Sequence, residues 1–189
     1  GKVQKNDSLP WFQLDFNGIA QGYSVDLIGR LLTSKGIGNF MIELGGEVIT
    51  KGKNENEELW KIGIDKPEEG LEQRVLQAVV KLSGRAISTS GNYRKFYVKN
   101  GIKYSHTIDP KSGYPVRHSL LSASVVANDC MTADAYATAF MVVGFEKSKE
   151  FISSNPQLNL DAMLIKTESN GKMSTYFTPG LKGLVEDER

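Results

Sequence analysis

The sequence is poor in the residues that build several common kinds of site. It has one cysteine, Cys130, in 189 residues. No intrachain disulfide and no cysteine-based metal cluster can form from it, and a single thiol does not decide the redox compartment. Cys130 stands at the start of a helical pattern and is expected to fill space there. Histidine is as scarce, with only His106 and His118. No run is long and apolar enough to cross a bilayer as a helix. The polar opening from Gly1 to Asp7 has no signal-peptide pattern. Gly1 stands where a Met would, so the natural protein is expected to begin further upstream. An excess of charge is missing too: 23 basic and 22 acidic residues leave +1. No broad field would draw in nucleic acid or an anionic membrane. There are no internal repeats and no low-complexity linker.

What is present suits one domain over residues 1–189. A chain of this length buries roughly 70% of its unfolded surface, and 40% of the residues are hydrophobic. Apolar residues at helical spacing, Ile19, Tyr23, Leu27 and Leu31, with Val25, Ile28 and Leu32 broadening the stripe, predict a helix over 19–32 with that stripe as its apolar face. Gly36 and Gly38 end it. Residues 39–50 read as one alternating strand around Gly45-Gly46. Further strands are expected at 60–65, 73–82, 86–88, 93–98, 103–108 and 121–127. Helices follow at 132–143 and 146–155, the second stopped by Pro156. Residues 162–167 and 172–177 pair as a terminal hairpin. Short connections and an excess of strands predict an α+β fold with antiparallel or mixed sheets, not a doubly wound one.

Five segments could carry chemistry. In Thr132-Ala133-Asp134-Ala135-Tyr136-Ala137-Thr138-Ala139, the carboxylate of Asp134 and the hydroxyl of Thr138 lie one helical turn apart on one face, between small residues. An oxygen-only pair suits a hard cation such as Mg2+; an acidic residue in a first helical turn is the plainer alternative. Asp15-Phe16-Asn17-Gly18-Ile19-Ala20-Gln21-Gly22-Tyr23 opens a helix. It either meets a ligand with exposed backbone or is a plain cap at Asp15 or Asn17. It matches neither a P-loop nor a dinucleotide fingerprint. Glu43-Leu44-Gly45-Gly46-Glu47 reads as a bulge or a close backbone approach inside a strand. Ser88-Thr89-Ser90-Gly91-Asn92-Tyr93 is either a backbone nest for a phosphate or an ordinary turn. The run from Ser105 and His106 through Ile108-Asp109-Pro110-Lys111-Ser112-Gly113-Tyr114-Pro115 is a turn by composition. It would place His106 at a sheet rim, where it could act as a base near neutral pH.

Taken together and in this order, these segments resemble the ApbE family, the FAD:protein FMN transferases (flavin transferases). The match runs from Leu14 to Gly144 and continues weakly to Phe177-Thr178-Pro179-Gly180. The resemblance implies a T-fold-related α+β fold. It also implies a piece of a longer protein, because the family has a region before the Asp15 segment that contributes to the flavin site. Most members carry Lys where Gln21 stands; Gln donates hydrogen bonds but cannot neutralise a phosphate.

The implied site holds Mg2+ through Asp134, Thr138 and backbone oxygen near Gly18 and Ala137. FAD would be contacted by Asp15, Gln21, Ser90, Gly91 and Ile108, with His106 as the base. The implied reaction is Mg2+-dependent transfer of FMN from FAD to a Thr or Ser hydroxyl of an acceptor protein, with release of AMP. Rival outcomes are FAD hydrolysis to FMN and AMP, or FAD binding without turnover. The expected partner is a flavoprotein subunit of a membrane redox complex at the periplasmic face of the cell envelope. Any contact with the membrane would come through a lipid anchor outside this chain.

Overall fold

The computed structural model describes residues 15–67, 75–92, 96–99, 102–105 and 107–186. Its centre is a six-stranded sheet in the order β1-β2-β5-β8-β9-β10. The strands are β1 (Phe40–Leu44), β2 (Glu47–Lys51), β5 (Ala86–Gly91), β8 (Leu120–Ala127), β9 (Asp161–Thr167) and β10 (Met173–Phe177). Every neighbouring pair is antiparallel. Two antiparallel hairpins stand outside it, β3 (Trp60–Asp65) with β4 (Leu76–Leu82), and β6 (Phe96–Lys99) with β7 (Ile102–Ser105).

Alternation along the strands splits the core into two layers. On one sheet face, Leu120, Ala123, Val125 and Ala127 of β8 pack with Ala133, Ala137, Phe140 and Met141 of helix α2 (Cys130–Val143) and Phe145 of helix α3 (Phe145–Ser154). On the other, Val48, Ile87, Val126, Met163 and Ile165 meet Ile62, Ile64, Ala78, Val80 and Leu82 of the β3–β4 hairpin. Leu181 of the short helix α4 (Pro179–Lys182) joins that second layer. This is the expected α+β class with antiparallel sheets.

Helix α2 is sharply bounded. The Asp129 carboxylate accepts the Thr132 N–H at 2.8 Å as N-cap, and Gly144, at φ 84°, stops the helix. Helix α1 (Ala20–Ser34) ends in a Schellman motif: Ile37 N–H donates to the Leu32 carbonyl, and Gly36 N–H, at φ 79°, to that of Thr33.

Three local expectations are corrected. Residues 39–50 are not one strand, because Gly45 (φ 69°) and Gly46 (φ 110°) form the two-residue turn between β1 and β2. Two consecutive positive φ values fit the twist of a hairpin and leave no ladder to continue through the pair. Ser88 to Gly91 is neither nest nor turn but the second half of β5, paired with residues 122–125 of β8. Helix α1 lies where the spacing puts it, yet of the expected stripe only Val25 is fully buried. Gly22, Val25, Asp26 and Gly29 face inward, while Tyr23 and Leu31 remain 46% and 56% exposed. The glycines have no side chain to hold α1 away from α2 and the sheet, so the backbone itself makes the contact.

Candidate functional site

The first turns of α1, the β1–β2 turn, the C-terminal half of β5 and the middle of α2 converge on one place. A Cβ on Gly22 would lie 2.4 Å from the Cys130 carbonyl oxygen and 2.9 Å from Asp134 Cβ. Only glycine lets the two helices approach this closely. The contact lets Gly22 N–H donate to Asp134 Oδ2 at 3.1 Å, in a buried setting. One turn along α2, a Cβ on Gly18 would meet Thr138 Cγ2 at 3.2 Å. The Thr138 hydroxyl also lies 3.4 Å from the Ser90 hydroxyl of β5. Asp134 and Thr138 thus share one face of α2, as their spacing predicts, and that face is lined by α1 and β5. Ala137 beside them is fully buried.

A second part of the cluster stands over the β1–β2 turn. The space that a Cβ on Gly45 would take is filled by the Gln21 amide, with Nε2 2.2 Å and Glu47 Oε2 3.5 Å from that point. Glu47, the first residue of β2, is only 6% exposed. Its Oε1 accepts the Ser88 hydroxyl at 3.3 Å, while the buried Oε2 has no partner. Asp26 lies deeper on α1 and is spoken for: its two carboxylate oxygens accept the N–H groups of Cys130 and Met131 at the start of α2.

Burial dominates the electrostatics. It pushes the Glu47 carboxyl from the ordinary 4.5 to about 7, with the negative charge of Asp134 next in weight, the residue's own backbone N–H and then the Ser88 hydrogen bond opposing, and Glu43 adding a little. Burial also raises Asp134, partly offset by the Gly22 N–H. The buried Cys130 thiol is driven far up, by burial first and then by Asp26, Glu47 and Asp134. It stays protonated, in keeping with a space-filling residue.

One consequence concerns stability. In the unfolded chain Glu47 returns to an ordinary carboxyl, so folding takes up a proton between pH 4.5 and about 7. Stability of the metal-free protein should therefore fall as pH rises through that window, by roughly 3 kcal/mol from this group. Asp134 acts in the same direction. Urea unfolding in EDTA across that pH range should show the decline, and Glu47→Gln should flatten most of it. An equally steep decline in the variant would remove Glu47 as its cause.

The remaining sequence-predicted residues fall as follows. Asp15 is exposed and accepts the Asn17 N–H at 2.7 Å in a tight turn before α1; the helix has no side-chain cap. Gly91 ends β5, paired with Ser122. Ile108 forms an isolated bridge with Pro115 in a separate turn and is about half exposed. His106 lies outside the described residues. Glu47 was missed as a site residue. Its signal was present: with Gly45-Gly46 read as a turn, alternation puts Glu47 on the face of Ile49, which packs with Val25 beneath α1.

Among the described residues, no group of three or more His, Cys, Asp or Glu side chains is arranged to hold a metal. The donors that share this face of α2 are the Asp134 carboxylate and the Thr138 hydroxyl, with the loop and helix backbone packed against them. With the orphaned Glu47 oxygen alongside, this all-oxygen, anionic set fits a hard cation.

In sequence, the chain is 38% identical over 175 residues to a FAD:protein FMN transferase of Vibrio cholerae, covering 92% of this chain and 51% of the relative. It is 38% identical over 185 residues to one of Haemophilus influenzae, covering 98% and 52%. In structure, it superposes on the flavin transferase ApbE of Vibrio cholerae with a TM-score of 0.81 at 33% identity, covering 97% of this chain and 57% of that one. The apo flavinyl transferase ApbE of Pseudomonas stutzeri gives 0.74 at 35% identity, covering 91% and 51%. The chain spans about half the length of the curated relatives it matches. The model of the ApbE family matches residues 4–164, which include every segment that meets at Asp134, and the chain belongs to that family.

Proposed function

We propose that the protein transfers FMN from FAD to a Thr or Ser hydroxyl of an acceptor protein, releasing AMP. The observation that carries this reading is the apposition of Asp134 and Thr138 on α2 against Gly22 of α1 and Gly18 of the turn before it, in a chain whose relatives are named FAD:protein FMN transferase. Asp134, Thr138 and backbone oxygens of Gly18 and Ala137 would hold Mg2+, which when bound supplies charge neutralisation at the FAD pyrophosphate. Gln21, poised over Gly45, would donate hydrogen bonds to the nucleotide, with Asp15, Ser90 and Gly91 nearby along the same surface elements. Ile108 would pack against the flavin nucleotide.

In the transfer, the acceptor oxygen bonds to the phosphorus on the FMN side, the bond to the AMP phosphate breaks, and AMP leaves. The hydroxyl proton passes to a base, for which His106 is the candidate. The proposed acceptor is an exported flavoprotein subunit of a membrane redox complex.

Intact mass of a peptide carrying a target Thr, incubated with FAD, Mg2+ and the protein, tests the reading. A gain equal to FMN, abolished by EDTA, is expected. FMN and AMP in solution with no gain on the peptide would replace transfer by hydrolysis. Bound FAD with no products would reduce the protein to a flavin binder.

A further inference from the structure

Glu47 is a buried carboxylate that the proposed reaction does not use. Residues this deeply buried and ionisable are rare unless something compensates the charge. Little does here. The backbone N–H of Glu47 itself and the Ser88 hydroxyl, 3.3 Å from Oε1, offset part of the charge, while Oε2 is buried without a partner. Among the described residues, no ion pair involving Glu47 or Asp134 is found, whereas the buried Asp26 and the part-buried Asp161 are engaged. Asp26 accepts two backbone N–H groups, and Asp161 is paired with Arg85 at 2.6 Å and accepts the Thr178 hydroxyl.

The position of the orphaned oxygen says what it is for. Gln21 and Gly22 are consecutive residues in the first turn of α1. Gly22 leans on Asp134 of α2, and Gln21 leans over Gly45 beside Glu47 Oε2. The two carboxylates therefore flank one turn of α1 from either side, one projecting from α2 and one from β2, on the same helix-facing side of the sheet. Two like charges held so close in a dry setting repel unless a cation or a proton stands with them.

We propose that Glu47 is a further residue of the cation site: its unpartnered carboxylate oxygen supplies a second negative charge facing Asp134 and sets how tightly the site takes a divalent cation. This rests on the cation-binding part of the proposed function. Glu47 acts here as a charge and positioning group, not as a catalytic residue, and its effect is on binding of the metal alone.

The test needs neither FAD nor acceptor. Mg2+ affinity is measured by calorimetry on the protein, with Mn2+ and electron paramagnetic resonance as a second probe. Thermal unfolding is followed in EDTA and in Mg2+. Glu47→Gln keeps the size of the side chain and removes the charge. It should weaken Mg2+ binding by at least about tenfold, because the attraction of a nearby carboxylate for a cation is strong where water is excluded. In EDTA the variant should melt at or above the wild type, and its rise in melting temperature on adding Mg2+ should be smaller. Glu47→Asp, which keeps the charge, should recover most of the affinity.

Opposite signs in EDTA and in Mg2+ are what a purely structural role would not produce. Unchanged Mg2+ affinity in Glu47→Gln would overturn the inference and leave the Asp134 assignment standing. A wild type that binds neither Mg2+ nor Mn2+ would overturn both.

Discussion

Asp134→Ala is expected to leave the chain folded and to reduce cation-dependent FMN transfer to background. Loss of groups that merely support a metal ligand costs 10–100-fold in affinity or activity, so loss of the ligand itself should cost at least about a hundredfold. The effect on stability is a separate matter, because two terms oppose. The alanine leaves the buried Gly22 N–H without its acceptor, which costs about 1–3 kcal/mol. It also removes a buried negative charge that raises Glu47. Asp134→Asn separates them, since the amide oxygen still accepts from Gly22 while the charge is gone. Both variants should fail in the peptide-mass assay while staying folded, and in EDTA the Asn variant should melt at or above the wild type and above the Ala variant. Full transfer by either one would sink the metal assignment.

Gly22→Ala should destabilise the protein by about 1–2 kcal/mol net, although alanine is the better helix former. The new methyl would sit 2.4 Å from the Cys130 carbonyl oxygen and 2.7 Å from its carbon. These are backbone atoms at the start of α2 and cannot swing aside as a flexible side chain would. Relief requires α1 and α2 to separate, and overpacking of this kind typically costs 1–3 kcal/mol, occasionally more. The gain of up to about 1 kcal/mol in helix propensity offsets part of it. Separation would also lengthen the Gly22–Asp134 hydrogen bond, so the stability loss should come with weaker Mg2+ binding.

Gly29, on the same buried face, is the internal control. A Cβ there would meet Phe40, Ile42 and Ile49 at 3.6–3.7 Å, ordinary contact distances. Gly29→Ala should be neutral or stabilising by about 0.5–1 kcal/mol. Equal melting temperatures for the two variants would mean that the α1–α2 contact is not as close as described.

Local chemistry settled much of this protein in advance. The end of α2 at Gly144 follows from the helical spacing, its start lies two residues before the expected Thr132 because Asp129 caps it, and the one-face placement of Asp134 and Thr138 follows from their four-residue separation. The β9–β10 hairpin and the strand at 60–65 are equally local, as is the inert setting of Cys130 at a helix start. Sequence alone could not choose the buried face of α1. Hydrophobic periodicity weighs side chains, and the contact that won is made by glycines that have none: Gly22 on α2 and Gly29 on the sheet. It also could not order six strands whose partners lie far apart in the chain, such as β5 between β2 and β8. That order puts Ser88 beside Glu47 and Ser90 beside Thr138. The charge state of Glu47 is tertiary for the same reason. A carboxylate one residue after a glycine turn is ordinary until a helix, a neighbouring strand and a second carboxylate close over it and remove the water.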